Sequence, residues 1–290
     1  MRCACIDIGS NTTALLVADV DQDGIAPVSV RRAFTMLGAS LKDGQIMPEK
    51  MIEIQDAVLT FVEHARSLNA ESIRVVGTHG VRQAGNGILL TQMVESRIGL
   101  PVQVLSGDEE ARHSYAGAFG GPPPVDRITT VIDAGGGSTE ITWSDRDGTL
   151  QTSSFAIGSS SLHQTFLSSD PPHPDELSAA RKHADAVFAD VVLPSECAVA
   201  LVVGGGASSA REILGGLIDP AAVDRVLKVA VGMDSEQLAE RFEIEWHRAR
   251  LLPAGLTVLA AVSARIGLPL EVGRGGLREG IALAMALDYD

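Results

Sequence analysis

A short pattern occurs twice in this 290-residue chain. Residues 6–13 read IDIGSNTT, and residues 132–139, lying 126 positions further on, read IDAGGGST. Each copy opens with an apolar run carrying an aspartate near its end, Asp7 or Asp133. It then breaks into small residues and resumes as a β-rich run, 14–20 or 140–143. Each second run ends in a turn, Asp21-Gln22-Asp23-Gly24 or Ser144-Asp145-Arg146-Asp147-Gly148. Asp-Gly beside strand residues marks a hairpin. The repeated unit is therefore strand, small-residue loop, strand. One such turn alone reads as a tight hairpin and nothing more. A matched pair implies two similar halves, each presenting a loop whose backbone N–H groups and hydroxyls can approach an anion closely. An aspartate at such a loop is placed to bind Mg²⁺ or orient water. Two copies facing each other form a clamp for a phosphate chain.

The length suits two domains of ordinary size, and 45% hydrophobic residues support sizeable cores. No apolar run near the length of a membrane span stands out, and Asp7 interrupts the first apolar stretch, so neither a membrane segment nor a secretory signal is expected. Three cysteines, an odd number, argue against a disulfide framework. Cys3 and Cys5 share a strand face and read, like Cys197, as small buried hydrophobes in a reducing, cytoplasmic setting. The net charge of -14 excludes a basic, nucleic-acid-coating surface. A polyanionic ligand must then be held by local donors: loop amides, helix N-termini, a few arginines and a divalent cation.

Strands are expected at 2–8, 13–20, 26–33, 72–77 and 102–105, with helices at 48–68, at 87–98 and from Glu109. Gly120-Gly121-Pro122-Pro123-Pro124 cannot continue a helix and marks a linker between regions 1–120 and 121–290. The second region repeats the alternation, with strands at 128–133, 138–143, 150–156 and 198–203. Helices follow at 175–190, 221–230, 235–242 and 253–266, and a last one from Leu277. Residues 204–209, GGGASS, form a third small-residue loop before a helix. This is an α/β chain with crossover connections.

The candidates for chemistry cluster at these loops. Residues 106–112, SGDEEAR, put Glu109 and Glu110 at a helix start, where acids either cap the helix or accept a proton from water. Neighbours on a helix point about 100° apart, so one of the two is expected to face a site. Asp133 and Glu140 flank the second loop and suit Mg²⁺; Asp7 matches Asp133, whereas Ala14 stands where Glu140 would. Arg82, after a strand end, reads either as a solvated residue or as a fork for phosphate. His79 and His113 lack metal-ligand spacing, and neither the P-loop pattern nor the G-x-S-x-G elbow occurs.

In order, these segments resemble the exopolyphosphatase and guanosine pentaphosphate phosphatase family: DIGSNT at 7–12, an LG…G stretch at 37–44, THGVRQAGN at 78–86, SGDEEAR at 106–112, VIDAGGGSTE at 131–140, GGGAS at 204–208 and GLREG at 276–280. The resemblance covers nearly the whole chain. It implies an α/β fold of two actin-like (ribonuclease H-like) domains with a cleft between them, and a C-terminal helix that returns to the first domain. It implies Glu110 as catalytic base, and Asp133 and Glu140, with Asp7 by the repeat, as metal-binding acids. It also implies phosphate contacts from Gly9, Ser10, Asn11, Thr12, Arg82, Gly135, Gly136, Gly137, Ser138 and Thr139. Mg²⁺ is the cofactor so implied, and polyphosphate or a nucleotide polyphosphate the substrate; a homodimer is left open, and no nucleic acid or membrane partner is expected. Two departures stand out: Ala207-Ser208 replace a common Gly-Thr, and serines fill 159–161 where many members place an arginine. A sugar-kinase-like transferase and a non-catalytic polyphosphate or alarmone sensor are the rival readings.

Overall fold

The computed structural model describes residues 1–121, 123, 128–145, 147–193, 197, 199–214 and 218–287. The expected linker therefore lies partly outside the described residues, at Pro122 and Pro124, as does Arg146 of the second turn. The chain forms two compact units, Met1–Pro123 with Arg274–Asp290, and Pro124–Gly273.

The first unit is built on strands β1 (Arg2–Ile8), β2 (Thr13–Asp21), β3 (Gly24–Ala33), β4 (Ser72–Gly77) and β5 (Val102–Val104), in sheet order β3-β2-β1-β4-β5. Apolar residues fill successive positions of β1 because the sheet is covered on both faces. Ala4, Ile6, Ile8, Leu15 and Val17 pack with α1 (Pro48–Ser67), through Ile54, Val58 and Val62, and with α3 (Gly87–Ile98). The alternate residues Cys3, Cys5, Leu16 and Ala18 meet Ile281, Ala282 and Leu283. These belong to the last helix, α11 (Leu277–Leu287), which packs in this unit beside α4 (Gly107–Phe119). The short α2 (His79–Gln83) follows β4.

Helices α4 and α11 touch backbone to backbone, which requires glycine at the crossing. A Cβ on Gly280 would lie 2.6 Å from the His113 carbonyl carbon, and one on Gly117 2.7 Å from the Gly280 nitrogen. Gly280→Val is expected to lower unfolding stability, because overpacking costs about 1–3 kcal/mol and replacing a helical glycine returns only a few tenths of a kcal/mol. An unchanged urea midpoint would show that the two helices separate freely.

The second unit repeats the topology. Strands β6 (Thr129–Ala134), β7 (Thr139–Ser144), β8 (Leu150–Phe155), β9 (Val199–Val203) and β10 (Leu270–Val272) form a sheet of order β10-β9-β6-β7-β8. Read from its other edge, this is the order of the first sheet. Its helices are α5 (Ser159–Phe166), α6 (Pro174–Val187), α7 (Gly205–Leu214), α8 (Pro220–Ala230), α9 (Ser235–Phe242) and α10 (Trp246–Ile266). α10 packs against the other five and is buried continuously from Leu251 to Ser263, hence apolar on every side.

α10 corrects one expectation. By length and composition it is apolar enough to cross a membrane, with mean hydropathy 1.4 over 18 residues, yet 78% of that window is buried in the fold. Pro253, taken in the sequence as a helix start, lies about two turns inside the helix. Burial on all sides holds the segment helical despite the missing N–H.

Candidate active site

The two repeated loops close in the same way. The Gly9 amide donates to the Thr12 carbonyl at 3.1 Å, and the Gly135 amide to the Ser138 carbonyl at 3.0 Å. In the first unit, Met36 N–H donates to the Asn11 carbonyl at 2.9 Å and Gly38 N–H to the Ser10 carbonyl at 2.8 Å. In the second, Ser159 N–H donates to the Gly135 carbonyl at 3.0 Å, and Ser160 and Ser161 N–H to the Gly136 carbonyl at 2.8 and 3.1 Å. A trans peptide points the next N–H opposite to each carbonyl. The amides of Asn11 and Thr12, and those of Gly136 and Gly137, therefore point away from the supporting segments. Successive amides turned the same way can hold an anion.

Close backbone approach sets each loop. A Cβ on Gly80 would lie 2.8 Å from Ser10 Cα, and one on Gly158 2.6 Å from the Gly136 oxygen. Sequence reasoning missed these supports, namely 36–38 with Gly80, and Gly158 with the three serines. The available signal was a glycine following each three-strand meander.

The parallel neighbours β4 and β5 bring two more candidates together, since α2 and α4 begin just past their C-terminal ends. The guanidinium of Arg82 forms an ion pair with Glu110 Oε1 and also donates to the Leu105 carbonyl. Glu110 is 7% exposed. Its neighbour Glu109 does different work. Glu109 Oε2 accepts from Ser106 N–H at 2.7 Å, and Ser106 Oγ accepts from Glu109 N–H at 3.2 Å, a reciprocal cap. The bond from the Ser106 amide holds the Glu109 carboxyl below its ordinary pKa. Of the two acids, the first caps the helix and the second turns inward to an arginine. His79, on α2, is pushed down in pKa by burial and then by the charge of Arg82.

In the second unit Asp133 and Glu140 are directly opposed on β6 and β7, so both side chains share one face. Glu140 is 3% exposed and accepts from Ser154 Oγ on β8 at 2.8 Å, a partner the sequence did not indicate. Gly204, at φ +100°, lies against the end of β6, where a Cβ would come 3.0 Å from Asp133 Oδ1. The corresponding pair in the first unit is Asp7 opposite Ala14. Among the described residues no group of three or more His, Cys, Asp or Glu side chains gathers as a metal cage. Mg²⁺ does not require one, since it is usually held by one or two carboxylates with water and substrate phosphate completing its shell. The Asp133–Glu140 pair, beside a loop that faces amides outward and a glycine that leaves room, fits that ion.

The sequence profile of the Ppx/GppA phosphatase family matches residues 16–289. The chain belongs to that family. A guanosine-5'-triphosphate,3'-diphosphate pyrophosphatase of Vibrio vulnificus (strain YJ016) is 26% identical over 292 residues, covering 97% of this chain and 59% of the relative. The chain thus spans a little over half the length of that curated relative. The crystal structure of the Aquifex aeolicus Ppx/GppA family member superposes with a TM-score of 0.82 at 23% identity, covering 100% of this chain and 99% of that one. An exopolyphosphatase from Cytophaga hutchinsonii ATCC 33406 superposes at 0.85 with 21% identity, covering 100% and 99%. At these identities the likeness is one of fold. The two five-stranded α/β units share the fold of these Ppx/GppA structures.

Proposed function

We propose that this chain hydrolyses the terminal phosphoryl group of inorganic polyphosphate or of a guanosine pentaphosphate-type nucleotide, in a Mg²⁺-dependent reaction. The observation that carries the reading is the separation of the two glutamates at the start of α4, with Glu109 spent on the cap and Glu110 turned inward onto Arg82. Glu110 is the base that takes a proton from the attacking water. The loops at 9–12 and 135–139 accept phosphate oxygens, and Arg82 adds a charged donor. Asp133 and Glu140 would hold Mg²⁺, which would neutralise phosphoryl charge and orient the group for in-line attack; Asp7 is the matching acid of the first unit's loop. We assign a reducing, cytoplasmic setting, the expectation drawn from the odd cysteine count of the sequence.

The test is phosphate release from tripolyphosphate, guanosine pentaphosphate and long polyphosphate, with ATP plus sugars as control. Binding without release would favour a sensor, and a phosphorylated sugar would favour the transferase. Short substrates are expected to be preferred at low salt. The net charge of -14 repels an extended polyanion outside the site, and such repulsion is screened within about 8–10 Å at ordinary ionic strength. Relative kcat/KM for long chains should then rise with moderate salt. Processive degradation of long chains at low salt, with weaker action on short ones, would contradict the preference.

A further inference from the structure

We propose that Arg82 exchanges partners during the reaction, holding Glu110 in the free protein and releasing it when a substrate phosphate draws the guanidinium away. This inference rests on the hydrolase reading above. In the structure the Arg82 guanidinium is committed within its own unit, to Glu110 Oε1 and to the Leu105 carbonyl. A carboxylate paired with a guanidinium is held in its ionised form and accepts a water proton less readily than an unpaired one. The same helix that carries Arg82 presses on the phosphate loop, through the approach of Gly80 to Ser10 Cα. The arginine side chain is 25% exposed, while that of Glu110 is 9% exposed. Of the two groups the arginine is thus the more accessible to a ligand, and the glutamate the more covered. A phosphate group offers two oxygens to the fork, as the carboxylate does, and adds charge. Arg82 is thus a positioning residue for Glu110 before binding and a phosphate ligand after it, so that the base is freed only in the presence of the group to be attacked.

An internal partner that must be displaced lowers apparent affinity, because breaking the pair is deducted from binding. Imidodiphosphate, a non-hydrolysable phosphate-chain analogue, is the probe, titrated by calorimetry in the presence of Mg²⁺. Glu110→Gln is expected to bind it about three- to tenfold more tightly than the wild type, the range for releasing one partly exposed, charge-assisted pair. Removing a negative charge near any anion site also tightens binding, so the deciding comparison is the double-mutant cycle. In an Arg82→Gln background the gain from Glu110→Gln should largely vanish. In Arg82→Lys, which keeps the charge and loses the fork, the gain should be intermediate. An equal gain in all three backgrounds, or no gain in the wild-type background, overturns the exchange while leaving the hydrolase reading in place. Failure of the wild type to bind imidodiphosphate at all overturns both.

Discussion

Glu110→Gln is expected to lower kcat for phosphate release by about 10²–10⁴-fold, the range for loss of a general base. The change keeps the side-chain shape while removing the charge that pairs with Arg82, so the fold should survive it and ligand binding should be retained or tightened. Glu109→Gln is the matched control. It keeps an acceptor for the Ser106 amide, since Gln also completes a capping box, and should leave both stability and kcat near those of the wild type. The pair of results is what the geometry demands, since Glu109 holds the Ser106 amide and Glu110 meets Arg82. The reverse pattern, with Glu109→Gln inactive and Glu110→Gln active, would assign the chemistry to the wrong acid.

Asp133→Asn and Glu140→Gln are expected to raise the Mg²⁺ concentration needed for half-maximal rate, and to lower the rate at saturating metal. Asn and Gln keep the shape but remove the negative charge a hard cation requires. Ser154→Ala should act in the same direction and more weakly, because Ser154 only orients Glu140 through its 2.8 Å hydrogen bond. The counterpart position in the first unit, Ala14, offers no second acid. The metal dependence should therefore respond most to changes in the β6–β7 pair. A rate that is unaffected by excess chelator would remove the metal assignment altogether.

The repeat was legible because a tight loop between two strands is a local matter, where small residues and an aspartate suffice to mark it. Structure extended the parallel: both loops are closed by the same Gly-to-i+3 bond, in sheets of matching order. Spacing alone left the choice between Glu109 and Glu110 open, and only the family resemblance pointed to Glu110. Both reside in the first turn, and only the positions of Ser106 and Arg82 tell them apart. The short helices α2 and α5 were missed because about one or two turns carry no usable periodicity. The three-residue β10 was missed for the same reason. Its pairing with β9 is a long-range event, Leu270 against Ala200. The full extent of α10 was hidden by Pro253, which locally signals a helix start and is overridden by burial among five neighbouring helices. The crossing of α4 and α11 depends on Gly117 and Gly280, more than 160 positions apart in the chain, a relation no local pattern displays.

The most direct test of the central claim is hydrolysis in heavy-oxygen water, with tripolyphosphate or guanosine pentaphosphate as substrate and Mg²⁺ present. Direct attack by water on the terminal phosphorus predicts one heavy oxygen in each phosphate released, and near-complete loss of that product in Glu110→Gln. Released phosphate without heavy oxygen, or equal labelled release from the Glu110→Gln protein, would contradict the account.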